Sequence, residues 1–191
     1  MRLERSIVLL FGALGCSAAG SAPVPAPAAS ASHAAVSTRL RATPGSDVVT
    51  VGNDGSVALW HGDGRVAWHT KLDGHVDIEP AISLGGTLFV RSANEIVALD
   101  GRGARLWGVT TPLPPTTQWD GLAVRADSSL LFVDATGALL CYGREGSRRW
   151  RWSPPQPITT APAPAPDSTT YVRVGEMMVH LGVDGVARWT K

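Results

Sequence analysis

Val97-Ala98-Leu99-Asp100-Gly101-Arg102-Gly103-Ala104-Arg105-Leu106-Trp107 is the stretch on which the reading of this chain turns. An apolar strand runs into Asp-Gly, a second glycine follows, and a tryptophan stands four residues after that glycine. Asp-Gly accepts the positive φ of a tight hairpin, so the segment reads as strand, turn, strand. Leu181-Gly182-Val183-Asp184-Gly185-Val186-Ala187-Arg188-Trp189 repeats the same order. Working outward, Trp68, Trp107, Trp150 and Trp189 are spaced by 39, 43 and 39 residues. Each has a glycine four residues earlier, at Gly64, Gly103, Gly146 and Gly185. At this glycine content, chance would produce all four at a rate on the order of one in ten thousand.

The register extends backwards without a gap. Seventeen residues before each tryptophan stands Val51, Val90, Val133 or Val172. Eight before stands Trp60, Leu99, Tyr142 or Leu181. These positions define an inner strand ending VVTV, TLFV, LLFV or TYVRV, a short turn, and a strand VALW, IVAL, LLCY or MVHL. The latter is apolar at successive positions, which predicts burial on both faces. A shorter, more variable strand precedes the later units (IEPAIS, GLAVRA, TAPAPAP), and the outer strand is expected to open with the tryptophan. Four strands in about 40 residues, repeated, predict an all-β chain of about four four-stranded propeller blades. The blades fall at about 36–72, 73–111, 112–154 and 155–191. In each, the glycine reverses the chain and the indole covers the junction with the adjacent blade.

Composition agrees. The 191 residues include 21 Gly, 14 Pro and 7 Trp, which suits short strands and tight turns better than long helices. A net charge of +1 argues against nucleic acid as a partner.

The amino terminus reads as an address. Arg2 and Arg5 precede an apolar run from Ile7 to Leu14, too short to span a bilayer. It ends in Ala13-Leu14-Gly15-Cys16, which resembles a bacterial lipobox with Cys16 as the lipidated residue. Ala13 stands where leucine is usual. An ordinary signal peptide cleaved after Ala19 or Ala22 is the other reading. Residues 17–35 are rich in Ala, Ser and Pro and carry no Asp, Glu, Lys or Arg, so they read as a tether. The expected order is therefore a signal peptide over 1–16, a tether over 17–35 and the propeller over 36–191. The expected location is the cell envelope, anchored to the outer membrane through lipid, with soluble export as the alternative.

The repeat resembles the PQQ-like blade of the quinoprotein alcohol dehydrogenase type, over roughly residues 44–191. WD40 fits less well, because Trp119-Asp120 is a lone pair outside the register. The chain departs from the PQQ-like pattern where Asp-Gly replaces the usual Thr-Gly, and in having four blades where that family commonly has seven or eight. Three closures are compatible with the sequence. The chain is a shortened product; or it pairs with another copy, as a homo-oligomer, to close a ring; or a strand near Val36–Arg41 returns to complete a four-bladed closure. The chain stops two residues after Trp189, so the last outer strand is expected to be barely begun.

Resemblance to quinoprotein enzymes implies pyrroloquinoline quinone held between a tryptophan and an adjacent-cysteine disulfide, with calcium beside it. No two cysteines are adjacent here, and Cys141 is the only one after Cys16. No cofactor and no metal is expected. The Asp-Gly pairs lack the alternating oxygen ligands of a calcium loop and read as turns. His61, His69, His75 and His180 show no paired ligand spacing. Cys141 reads as a buried thiol, and no Gly-x-Ser-x-Gly elbow occurs.

The expectation is a non-catalytic envelope scaffold acting through protein–protein contacts. In architecture it resembles the propeller lipoproteins of outer-membrane protein assembly. A quinone-dependent dehydrogenase or enzyme subunit is the rival, and a fragment without its own activity is the third reading. Candidate contact residues are Trp119, in the long connection Thr111–Trp119, and the cluster Arg148, Arg149, Arg151 and Trp152.

Overall fold

The computed structural model describes residues 38–43, 47–76, 78–112 and 118–191. The lipobox with Cys16 and the tether lie outside these residues. Sixteen strands among the described residues form four antiparallel sheets, each in simple meander order. Blade 1 holds β1 (Thr38–Ala42), β2 (Val48–Gly52), β3 (Ser56–Trp60) and β4 (Val66–Lys71). Blade 2 holds β5 (Ala81–Ile82), β6 (Leu88–Ser92), β7 (Glu95–Leu99) and β8 (Arg105–Thr110). Blade 3 holds β9 (Ala123–Val124), β10 (Leu130–Val133), β11 (Leu139–Tyr142) and β12 (Arg148–Trp152). Blade 4 holds β13 (Ala163–Pro164), β14 (Thr170–Val174), β15 (Met177–Leu181) and β16 (Ala187–Thr190).

Three details of the sequence reading need correction. The strand near residues 36–41 does not return to the far end. β1 pairs with β2 inside blade 1, with Thr38 opposite Gly52 and Ala42 opposite Val48. The last outer strand is fully formed: β16 pairs with β15 from Leu181↔Ala187 to Val179↔Thr190, and Met178 and Lys191 exchange backbone hydrogen bonds beyond it. Nor does the tryptophan open its strand. Each outer strand begins two residues earlier, and one residue bulges out just before the indole. The pairings Leu59↔Trp68, Ala98↔Trp107, Cys141↔Trp150 and His180↔Trp189 each follow that irregularity. A bulge bends the strand and re-aims the next side chain. Here it re-aims the tryptophan.

The turn before the bulge explains the glycine. Gly103 N donates to Asp100 O and Asp100 N to Ala104 O, and the other three blades repeat this pair of bonds. The geometry puts the glycine at φ between +78° and +84° in all four copies, where a side chain costs about 1–2 kcal/mol. Aspartates brace these turns. Asp100 Oδ1 accepts from the amides of Arg102 and Ala104, and Asp184 Oδ1 from that of Val186. A second brace recurs where Ser or Thr stands two residues after Asp, at Asp54, Asp127, Asp134 and Asp167. In each, one carboxylate oxygen accepts from both the amide and the hydroxyl.

Successive strand residues face opposite neighbours. Val49, Val51 and Val57 of blade 1 meet Leu88, Val90, Val97 and Leu99 of blade 2. Phe89, Ile96 and Ala98 on the other side of blade 2 meet Leu130, Phe132 and Leu140 of blade 3. Leu131, Val133, Leu139 and Cys141 then meet Val172, Val174, Val179 and Leu181 of blade 4. These three clusters are the inter-blade cores among the described residues. Burial on both faces therefore holds for β7 and β11. It fails for VALW in β3 and MVHL in β15, each of which has a neighbouring blade on one side.

Candidate functional site

The tryptophans join the blades by one repeated contact. Trp68 Nε1 donates to Gly101 O of blade 2 at 2.9 Å, Trp107 Nε1 to Arg144 O of blade 3 at 2.7 Å, and Trp150 Nε1 to Val183 O of blade 4 at 2.9 Å. The acceptor always lies two residues before the repeated glycine. Each indole lies over that glycine so closely that a Cβ there would sit 2.5–2.7 Å from the ring. Gly103, Gly146 and Gly185 are thus needed twice, for positive φ and for the approach of the indole.

The predicted contact cluster is divided by these joints. Trp119 and Trp152 are half-buried against the blade 3–4 core. Trp119 N donates to Ile158 O at 2.6 Å, and its ring covers Gly121. The arginines point outward but are paired within their own blade. Arg149 Nη1 bonds Asp127 Oδ2 at 2.6 Å, and Arg151 Nη2 donates to Thr136 Oγ1 at 2.6 Å. Arg148 is exposed. Of the long connection, Thr111 is buried with its amide on Asn94 O, and Gln118 packs over Gly137.

The polar groups singled out in the sequence have structural surroundings. Cys141 is buried, with Arg125 Nη1 directed at its Sγ at 3.3 Å. His180 stacks on Tyr171 at 4.7 Å, and neither ring nitrogen has a hydrogen-bond partner. His61 approaches Asp47 at 3.3 Å. Among the described residues, no three His, Cys, Asp or Glu converge as metal ligands.

Two buried arginines escaped the sequence reading. Arg91 and Arg125 are each 2% exposed, and no carboxylate bonds either one. Desolvation pulls the Arg91 pKa down, with Asp120 opposing it. Arg125 lies over the Trp150 ring and also donates to Val183 O, the acceptor of Trp150 itself.

What the sequence could not assemble is an end of the blades where exposed aliphatics stand among charged turn residues. In a four-stranded meander the first and third turns lie at one end of the sheet, and the second turn and the blade connections lie at the other. Val66, Leu84, Leu106, Val183 and Val186 are exposed aliphatics, and all five belong to first or third turns or the residues beside them. Leu84 is 80% exposed. Two pockets open along this end. One of about 350 Å³ lies between blades 1 and 2, lined by Asp47, Trp68, Ile82, Leu84 and Asp100. One of about 440 Å³ lies between blades 2 and 3, lined by Leu106, Trp107, Ser128, Arg144 and Glu145. The opposite end carries prolines and polar groups, among them Gln118, Thr136, Pro154, Pro155 and Gln156 around a smaller pocket. Single exposed aliphatics are ordinary; these five share one end of the blades.

Four-stranded meanders joined by a repeated Trp–Gly contact define a β-propeller of PQQ-like repeats. The sequence matches the family described as "Outer membrane protein assembly factor BamB" over residues 20–119 and 95–191, and the chain belongs to that family. No curated protein matches the sequence. Among solved structures it is similar to BamB from Moraxella catarrhalis, with 18% identity and a TM-score of 0.63. That match covers 81% of this chain and 52% of the other. It is also similar to a catalytically inactive virginiamycin B lyase from Staphylococcus aureus solved with quinupristin, at 14% identity and TM-score 0.62, covering 82% and 56%. A protein of unknown function from Bacteroides caccae matches at 14% identity and TM-score 0.57, covering 83% and 62%. At such identities the likeness concerns the fold. The chain spans 52–62% of the length of these structures.

Proposed function

We propose that the chain is a non-catalytic scaffold of the bacterial cell envelope that holds another envelope protein on its apolar turn end. The observation that carries this reading is the collection of Val66, Leu84, Leu106, Val183 and Val186 at one end, beside two inter-blade pockets. Membership of a family named for outer-membrane protein assembly supports an envelope location and a role in protein–protein contact. Rigid sheets that present turns at one end suit that role, because little ordering is needed on binding. The occupant is an extended apolar segment whose side chains enter the two pockets. In this reading Cys16 carries the lipid, and the charge-free segment 17–35 gives the propeller reach from the membrane.

The proposal also holds that the chain is not an enzyme. The absence of adjacent cysteines in the sequence supports this against quinone-dependent oxidation. Dye-linked alcohol oxidation on addition of quinone and calcium would count against it.

A photoreactive residue placed at Leu84 in living cells tests the contact surface, with one at Thr136 on the opposite end as control. An envelope protein should cross-link at Leu84 and not at Thr136. Cross-linking at Thr136 alone, or at neither position, would refute the reading.

A further inference from the structure

The Trp–Gly joint is made three times within the chain, and its two halves occur once more without each other. Trp189 is the fourth tryptophan. The residue is 39% exposed, and its Nε1 has no acceptor among the described residues. Gly64 is the fourth glycine. It holds the same φ of +84° as Gly146, yet nothing among the described residues comes within 4 Å of the position of a Cβ. The acceptor two residues before it is Gly62 O. Trp189 is therefore an indole without a turn, and the Gly62–Gly64 turn lacks its indole.

Among the described residues, the sheet faces beside these halves are unpartnered as well. By strand alternation, Tyr171, Met178 and His180 point away from blade 3, as their counterparts in blades 2 and 3 point toward the next blade. Tyr171, His180 and Trp189 form one aromatic cluster, with ring centroids 4.7–5.9 Å apart. On blade 1, Thr50, Ala58 and Trp60 point away from blade 2, and Trp60 is 37% exposed. Every exposed large hydrophobic among the described residues lies either on the apolar turn end or on one of these two faces.

We propose that the occupant of both faces is a second copy of this chain. Blade 4 of one copy packs on blade 1 of the other, and Trp189 covers Gly64 of the partner with its Nε1 on the partner's Gly62 O. The argument rests on self-complementarity: the missing indole and the missing turn belong to the same chain, in the geometry its three internal joints already use. A contact between unlike faces closes into a ring when the rotation per copy permits it, and two copies make this contact twice. Two copies also supply about the length of the Moraxella catarrhalis chain, of which one copy covers 52%. Closure would bury the apolar side chains exposed on both faces, among them Trp60, Tyr171, Met178 and Trp189. This inference stands apart from the turn-end proposal and uses none of its residues.

Two experiments on the full chain carrying Cys16→Ser test it. Sedimentation equilibrium should give twice the 20.0 kDa chain mass, and Trp189→Ala should raise the dimer Kd at least about tenfold. A monomer at every concentration, or species larger than a dimer, overturns the proposal. Because Trp189→Ala could fail for want of folding, chains that also carry Cys141→Ala, and so a single introduced cysteine, supply the second readout. Chains with Trp189→Cys are mixed with chains carrying Gly62→Cys and treated with a short bismaleimide. Cross-linking only in the mixture supports the interface. No cross-link in the mixture, or an intrachain link at monomer mass when both cysteines are on one chain, overturns it.

Discussion

Gly146→Ala should cost far more than its backbone strain, and the excess should vanish when Trp107 is removed. The methyl group at residue 146 would enter φ +84°, at about 1–2 kcal/mol. It would also stand 2.7 Å from Trp107 Cγ, where the indole is pinned by its bond to Arg144 O and by packing near Phe89 and Tyr142. Forcing extra volume into such a contact adds about 1–3 kcal/mol. The total is then about 2–5 kcal/mol. Gly64→Ala is the reference, measured in a Trp189→Ala background so that no indole from any source covers it. With nothing within 4 Å, it should cost the strain alone, about 1–2 kcal/mol. Trp107→Ala by itself should cost about 3 kcal/mol, at the low end for buried aromatics because the ring is half-buried. In the double variant, Gly146→Ala should add only the strain. The cycle is read from urea midpoints at constant m-value. Equal costs at Gly64 and Gly146, or an excess that persists without Trp107, would refute the joint as the reason for the repeated glycine.

Other consequences are sharp enough to check. Arg91→Met should change stability by less than about 1 kcal/mol in either direction, because the buried guanidinium lacks a carboxylate partner and its Nε is unbonded; a loss above about 2 kcal/mol by thermal melting would contradict that account. Leu84→Asp with Leu106→Asp should move the urea midpoint little, about 0.5 kcal/mol or less, since both side chains are exposed, while abolishing the cross-link placed at the turn end. Acid should loosen the turns. Burial opposes ionisation of Asp127 and Asp134, but bonds from Ser129 and from Thr136 and Ala138 outweigh it, and Thr169 lowers Asp167 directly. Carboxyls held below their unfolded value stabilise fully above about pH 4 and lose that contribution as pH falls through the unfolded and then the folded value. The urea midpoint should therefore drop between pH 5 and pH 2.5; a flat profile would contradict the brace.

Much of this architecture is legible in the residues. The Gly-x-x-x-Trp spacing places all four outer hairpins, and the aligned valines fall in the second strands, but the register is not gapless. Val51 and Val133 face the next blade while Val90 and Val172 face the preceding one, because the turn that follows differs by one residue. What escaped had physical causes. A bulge leaves no trace in spacing when every copy carries it, so the tryptophan looked like the start of its strand. Tyr171, His180 and Met178 share a register with Phe89, Ala98 and Ile96, and nothing local says that one set meets a neighbour and the other does not. Trp119 in a long connection and Trp152 beside basic residues suggested a contact surface, but indoles next to a blade junction are drawn into it, leaving Arg149 and Arg151 to pair with their own turns. The aliphatic turn end was invisible because its members are separated by up to 120 residues and each is unremarkable alone. Arg91 and Arg125 sit in polar-looking stretches and gave no sign of burial.

Hydrogen exchange at the indole Nε1–H groups, resolved by NMR with Trp→Phe variants for assignment, reports whether one repeated tryptophan contact joins consecutive blades. The indole protons of Trp68, Trp107 and Trp150 should each exchange at least about tenfold more slowly than a free indole, because each is bonded to the next blade. Trp189 should exchange freely in dilute protein and gain protection as concentration rises. Free exchange at Trp68, Trp107 and Trp150 would contradict the account.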